Sequence, residues 1–447
     1  MSGLRSIVIV KGKLKNISPF IIGKGKGDYR DIEILKDEKG VPYIPASSFV
    51  GALKHHIEEN YRKNSSWGYF WGNENTQSHF IESDLRLKNH KPSISFRDGV
   101  AIDNKRGIAR EKAKFNYELV EEECPFELNA EIKVMGDQNK DEILKILKTC
   151  IEELKDGNIF IGAMTSKGFG RFKLEDEEIF AFDFPKDGRA YLLAVDSNFE
   201  KLGESKKYPF PSVEGLELRT KKDFTIDAIF SLKSSLIISS YATNPEEPDK
   251  VHIKSDGKNA IPGTSLKGAI RSRAEKIINT LGGNGEELLK KTFGWADPKE
   301  KYKSRVIVEE SVIEDAAEAI QTRIKIDRFT GGTIKGALVE AKPIWHKDEN
   351  INIKITLKDY EDWEAGLMLL VLKDLWTADL PIGGEKAIGR GVLLGKRVKI
   401  QFDGQEIAVE DQNGKLKIDG DANTLEGLVR EFCKKIAEGG NEDVSDI

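Results

Sequence analysis

The 447-residue chain repeats itself, and that repetition restricts its fold more than any other feature. Ile44-Pro45-Ala46-Ser47-Ser48-Phe49 reads like Ile261-Pro262-Gly263-Thr264-Ser265-Leu266, with the prolines 217 positions apart. Farther along, Gly99-Val100-Ala101-Ile102-Asp103 is answered by Arg323-Ile324-Lys325-Ile326-Asp327, with the aspartates 224 apart. Last, Lys167-Gly168-Phe169-Gly170-Arg171 is answered by Lys386-Ala387-Ile388-Gly389-Arg390-Gly391, with Gly170 and Gly391 separated by 221. Three matches in one order at near-constant separation mark a tandem duplication, so the two halves must share one architecture.

Each half reads as strand, helix, β-rich middle, strand, helix, strand. The opening strands are residues 6–10 and 224–232. Ile-Pro then gives a rigid entry, and a Ser or Thr N-cap is expected to start the first helix. In the second copy Leu266, Ala269, Ile270, Ala274, Ile277 and Ile278 share one helical face. Hairpins are expected over residues 93–117 and 321–340, strands over 127–134 and 352–357, and helices over 141–154 and 361–374. Strands 171–174 and 392–400 close the copies. This order is the split βαβ pattern and predicts an α+β protein: two tandem ferredoxin-like (RRM-like) modules, each with an inserted β-hairpin. The expected boundaries are a first module over 1–174, a charged linker over 175–223, a second module over 224–400 and an acidic tail over 401–447 with one helix at 425–437.

Hydrophobic residues make up 39% of the chain and charged ones 32%, which excludes a disordered or fibrous polymer. No apolar run reaches membrane-spanning length, and the apolar stretch at residues 7–10 is too short for a secretory signal, so a cytoplasmic protein is expected. Cys124, Cys150 and Cys433 are too scattered for a disulfide framework or a cysteine zinc site. The net charge of −5 seems to oppose nucleic-acid binding. Its distribution reverses that reading: the linker carries −4 and the tail −7, which leaves the two modules together at +6.

The basic groups fall where they could grip a phosphate chain. Glycine loops let a backbone approach a phosphate, and Lys167, Gly168, Gly170 and Arg171 in one copy and Lys386, Gly389, Arg390 and Gly391 in the other combine such a loop with cations. The hairpins interleave cations with aromatic rings, as surfaces that hold and stack on RNA do: Lys105, Arg106 and Arg110 with Phe115, and Arg323, Lys325 and Arg328 with Phe329. The helix starts at Ser47 and Ser48 and at Thr264 and Ser265 offer N-terminal dipoles, with Lys54 and Arg271 one turn on. Lys24 and Lys26 lie in a glycine-rich loop ahead of the first helix.

The Ile-Pro-x-Ser helix start, the Ile-Asp hairpin and the terminal glycine loop, each present twice, resemble the RAMP superfamily of CRISPR proteins. More narrowly they resemble the backbone subunits of type III effector complexes, fused in pairs as in the type III-D arrangement. The resemblance covers about 400 residues. It implies contact with a CRISPR guide RNA and complementary target RNA, and partnership with neighbouring backbone, small and large subunits. It makes the hairpin a thumb that inserts into the guide–target duplex, and Lys267 a guide contact whose counterpart in the first copy is Val50. It also ties a loop aspartate upstream of the Ile-Pro motif to target-RNA cleavage. Aligning Lys36 with Lys254 puts Asp31 on Asp249, with Asp28 as the alternative in the first copy. A single carboxylate can orient the RNA's own 2′-hydroxyl, take its proton or hold a divalent ion such as Mg²⁺. Two other readings stay open: a scaffold without chemistry, and the related guide-processing endonuclease.

Overall fold

The computed structural model describes residues 3–25, 31–88, 90–104, 106–196, 199, 210–219, 222–240, 247–345, 351–412 and 414–439. Contacts divide the chain into two units. One comprises Met1–Phe96, Asn116–Thr165 and Phe169–Thr220; the other comprises Arg97–Phe115, Ser166–Gly168 and Lys221–Ile447.

In the first unit the opening strand is long, Leu4–Asn16, and sits mid-sheet between Pro125–Met135 and Arg171–Asp183. The short strands Phe80–Ile81 and Ile159–Phe160 lie at the edges, and all neighbours are antiparallel. In chain order the four strands that alternate with helices Ala46–Asn60 and Lys140–Lys155 lie second-third-first-fourth across the sheet, the split βαβ order. The Lys140–Lys155 helix buries Ile143, Leu144, Ile146, Leu147, Cys150, Ile151 and Leu154 on one face. Asn139 caps it by accepting the amides of Asp141 and Glu142.

The strand expected to end at residue 174 runs on to Asp183. The acidic run Glu175–Glu178 looks like linker, but those side chains meet cations: Asp176 pairs with Lys13 at 2.8 Å, Glu175 with Lys15 at 3.8 Å and Glu177 with Lys155 at 2.5 Å. Beyond it, helix Gly188–Asp196 packs Ala194 onto Ile7, Ile9 and Phe182 of the sheet. Much of the expected linker is therefore folded onto the first unit.

The second unit repeats the order. Val306–Val308, Ile351–Leu357, Phe224–Leu232 and Leu393–Phe402 lie side by side and antiparallel, with helices Gly263–Thr280 and Asp362–Trp376 as the crossovers. Phe224, Ile226, Ala228, Phe230 and Leu232 alternate into one core with Leu266, Ile270, Ala274 and Ile278 of the first crossover helix. The expected tail is also part of this unit. Gln405–Gln412 and Lys415–Asp419 extend the sheet to six strands, and helix Ala422–Gly439 buries Leu428, Phe432 and Ile436 against the same core. Gly366 permits this contact, because a Cβ there would overlap the Leu428 carbonyl.

Two hairpins rise from these frames: Ile94–Asp103 with Ile108–Val120, and Gln321–Ile326 with Thr333–Lys342. The outer part of the first hairpin, Arg97–Phe115, belongs to the second unit. There the buried Arg97 guanidinium grips both carboxylate oxygens of Glu310 and donates to Ser255 Oγ at 2.9 Å. Breaking such a buried pair would leave an uncompensated charge, at a cost of about 3–5 kcal/mol.

Candidate RNA interface

The aspartate of the hairpin motif shapes the turn. Asp327 Oδ1 accepts the amides of Phe329 and Thr330, each at 2.8 Å, and the Gly331 amide closes onto the Asp327 carbonyl at 2.9 Å. Those two amides hold the Asp327 carboxyl below its usual range. Asp103 does the same in the first hairpin, accepting the Arg106 amide on its side chain and the Gly107 amide on its carbonyl. The turn so built leaves Phe329 wholly exposed at the tip, beside exposed Lys325 and Arg328. Arg106 and Arg110 are likewise exposed. Lys105, Lys26 and Asp28 lie outside the described residues.

The two candidate aspartates occupy equivalent places. Asp31 is exposed, its Oδ2 accepts the Asn116 amide at 3.0 Å, and the next residue, Ile32, pairs in parallel with Tyr117. Asp249 is exposed, its Oδ2 accepts the Glu340 amide at 3.4 Å, and the next residue, Lys250, pairs in parallel with Ala341. Each carboxylate thus stands at the foot of a hairpin's second strand in one shared register. Asn116 and Glu340 are 224 positions apart, the same separation as Asp103 and Asp327, so the sequence repeat carries this pairing too.

The glycine loops are built differently from the phosphate cradle expected of them. Gly168, Gly170, Gly389 and Gly391 all have left-handed φ, between +75° and +87°. A Cβ at Gly170 would overlap the Ile161 carbonyl, and one at Gly391 the Ile382 carbonyl. Three of their amides are spent inside the protein: Gly170 donates to Pro19 O at 2.8 Å, Gly391 to Ser235 O at 2.8 Å and Gly389 to Lys386 O at 3.0 Å. Arg390 is only 2% exposed, set against Ser235, Gln321 and Glu385. The same Glu385 takes Arg323 and, at 3.5 Å, Lys250. Arg171 donates to Gly157 O at 2.6 Å. These arginines and glycines hold the loops together. Lys386 is exposed, and Lys167 is half-buried with its ammonium shifted below the usual range by burial.

The helix starts also depart from expectation. Pro45 and Pro262 are themselves the N-caps, without side-chain capping bonds, so Ser47, Ser48, Thr264 and Ser265 lie inside the first turn. A carboxylate already occupies the first of these helix ends: Asp84 Oδ1 accepts the Ala46 amide at 2.9 Å. Lys267 is buried, donating to Ser304 Oγ at 2.7 Å, Val306 O at 2.8 Å and Ser166 O at 3.1 Å. Burial, with Lys167 and Arg271 nearby, brings its pKa down to about 7. Enclosed by protein acceptors, it is not placed to touch RNA; Lys54 and Arg271 remain half-exposed. Lys24 is exposed and pairs with Glu33 at 2.7 Å.

The RAMP superfamily model matches residues 13–173 and 229–393. The chain belongs to the RAMP superfamily. The two matched regions correspond to two RAMP modules in one chain, and membership supports a CRISPR-associated RNA-binding protein. No curated protein matches the chain. Among the described residues of this RAMP protein, no helix is long and apolar enough to cross a membrane, and no three His, Cys, Asp or Glu side chains gather to hold a metal. Asp31 and Asp249 each supply one carboxylate. Mg²⁺ commonly takes one or two carboxylates and completes its shell from water and substrate phosphates, so the donor set fits a divalent ion only with RNA bound.

Proposed function

We propose that this RAMP protein is a two-module backbone subunit of a type III CRISPR ribonucleoprotein, cytoplasmic and assembled with neighbouring backbone, small and large subunits. In this reading its tandem ferredoxin-like modules bind the guide RNA, their thumbs enter the guide–target duplex, and it cuts target RNA at up to two places beside Asp31 and Asp249. The observation that carries the reading is the shared register of the two aspartates: each is an exposed carboxylate at the foot of a hairpin, fixed by the amide of an equivalent residue. A hairpin that splays the duplex would give a nearby nucleotide the freedom to line up for in-line attack.

The chemistry needs no protein nucleophile. The target's 2′-oxygen bonds to the adjacent phosphorus and the P–O5′ bond breaks. The 2′ proton passes to the aspartate carboxylate, and the departing 5′-oxygen takes a proton from water. The products are a 2′,3′-cyclic phosphate and a 5′-hydroxyl. A divalent ion is the proposed cofactor, supplying charge stabilisation at the phosphate when bound. The alternative reading is a scaffold without chemistry; among the described residues no three His, Cys, Asp or Glu side chains gather to hold a metal.

Reconstituting the complex with guide, end-labelled target RNA and Mg²⁺ tests the proposal. Asp31→Ala and Asp249→Ala should each erase one fragment while target binding persists, and the double variant should erase both. A wild-type ladder from the double variant refutes the assignment of these aspartates. Absence of cutting by the complete wild-type complex favours the scaffold.

A further inference from the structure

In both units the lysine five residues after the candidate aspartate is pinned by a carboxylate, and the two arrangements do not share a sequence. Glu118, only 3% exposed, lies two residues beyond Asn116 on the hairpin's second strand. Its Oε1 accepts from Lys36 Nζ at 2.7 Å, its Oε2 accepts the Ile34 amide at 3.1 Å, and its own amide donates to Ile32 O at 3.0 Å. With the Asp31–Asn116 bonds, these close residues 31–36 onto residues 116–118 along their whole length.

The second unit reaches the same end by another route. Where Glu118 stands in the first copy, 224 positions on, the second has Lys342. The carboxylate comes instead from Glu318, which binds Lys254 at 2.7 Å and Lys342 at 2.5 Å. Burial would raise the Glu318 carboxyl; the flanking Lys254 and Lys342 ammoniums and the Asn259 amide outweigh this and hold it down at about 2. One carboxylate thus ties the segment behind Asp249 to the strand that contacts Asp249.

We infer that Glu118 and Glu318 are positioning residues for cleavage: through the Lys36 and Lys254 ion pairs they hold Asp31 and Asp249 at the feet of their hairpins. This rests on the reading of the two aspartates as cleavage residues. The physical ground is that in-line attack tolerates little error, since a displacement of about 1 Å at a reacting group can cost roughly 100-fold in rate. A loop carboxylate with only one amide bond to fix it needs its chain segment anchored on either side. Neither glutamate touches RNA in this scheme.

The test uses the assembled complex, because each unit serves as the other's control. Glu118→Gln keeps the size of the side chain and its acceptor for the Ile34 amide while removing the charge that holds Lys36. It should lower the single-turnover rate of the Asp31-dependent cut by about 10- to 100-fold, leaving the Asp249-dependent cut and target affinity unchanged. Glu318→Gln should do the converse, and Glu118→Asp should restore part of the first rate. Equal loss at both cuts, or loss of RNA binding, would reduce these groups to general stability and overturn the inference. Amide exchange of the free protein supplies a readout that survives failure of the cleavage reading. Residues 32–36 should exchange faster in Glu118→Gln and residues 250–254 in Glu318→Gln, and unchanged exchange in both overturns the positioning role outright.

Discussion

Asp31 and Asn116 hold each other in both directions: the Asp31 amide donates to Asn116 Oδ1 at 3.1 Å, and the Asn116 amide donates to Asp31 Oδ2 at 3.0 Å. The second unit keeps only half of this exchange. Glu340 replaces the asparagine, gives its amide to Asp249 and turns its own carboxylate to the Thr322 hydroxyl at 3.2 Å.

That difference makes the two proposed cuts unequal. A phosphate approaching Asp249 meets a second negative charge from Glu340, where the first unit has the neutral Asn116. At the dielectric of water, which suits exposed groups, two charges about 4 Å apart interact by roughly 1 kcal/mol, about fivefold in rate. Glu340→Gln should therefore speed the Asp249-dependent cut several-fold at low salt, and Asn116→Asp should slow the Asp31-dependent one. Fragment-resolved rates measure both; a slower second cut in Glu340→Gln would contradict the argument.

Phe329 offers a test of the hairpin as an RNA-stacking element. Its ring is 100% exposed, so Phe329→Ala should leave the unfolding midpoint where it was. If the ring stacks on bases, RNA affinity should fall by about 1–3 kcal/mol with no change in salt dependence. Lys325→Ala and Arg328→Ala should instead each flatten the slope of log affinity against log salt by about one. Titrations at several salt concentrations separate the two effects.

His252 makes the second unit sensitive to acid. The ring is 4% exposed, with Nδ1 accepting the Ile238 amide at 3.2 Å and Nε2 donating to Ala260 O at 3.0 Å, a pattern that requires the neutral form. Burial lowers its pKa to about 4. Between that value and the ordinary 6.5 the unfolded chain binds a proton that the folded one refuses, so stability falls as the pH drops through this window. The loss should reach roughly 2–3 kcal/mol by pH 4. His252→Gln should be less stable than wild type at pH 7.5 and should close that gap as the pH falls to 4.5. Amide exchange in Lys258–Ile261 reports the effect locally, and parallel pH profiles would rule out His252 as its source.

The duplication and the order of elements were legible because they rest on backbone demands: proline-led helix starts, glycines with left-handed φ and alternating apolar residues. Tertiary context hid the rest. Glu175–Glu178 looked like a solvated charge run because the lysines that meet it come from distant strands. Lys267 and Arg390 have the right chemistry for RNA, yet packing encloses both and gives them protein partners. The acidic tail concealed two strands and a helix whose apolar face fits the core only around Gly366. Asn116, Glu118, Glu318 and His252 belong to no recognisable motif, and their roles emerge only when the hairpin strands are in register.

The crowding at Gly170 and Gly391 bears on how proteins of this kind should be sorted. No other residue fits those two positions without moving a carbonyl, so they would be kept by a chain that had lost every catalytic group. A search keyed to the glycine loop would therefore collect working and silent copies alike. Under the proposed function, telling them apart falls to the residue opposite Asn116 or Glu340: an acid there would equip a module to cut, and its replacement would leave only the frame.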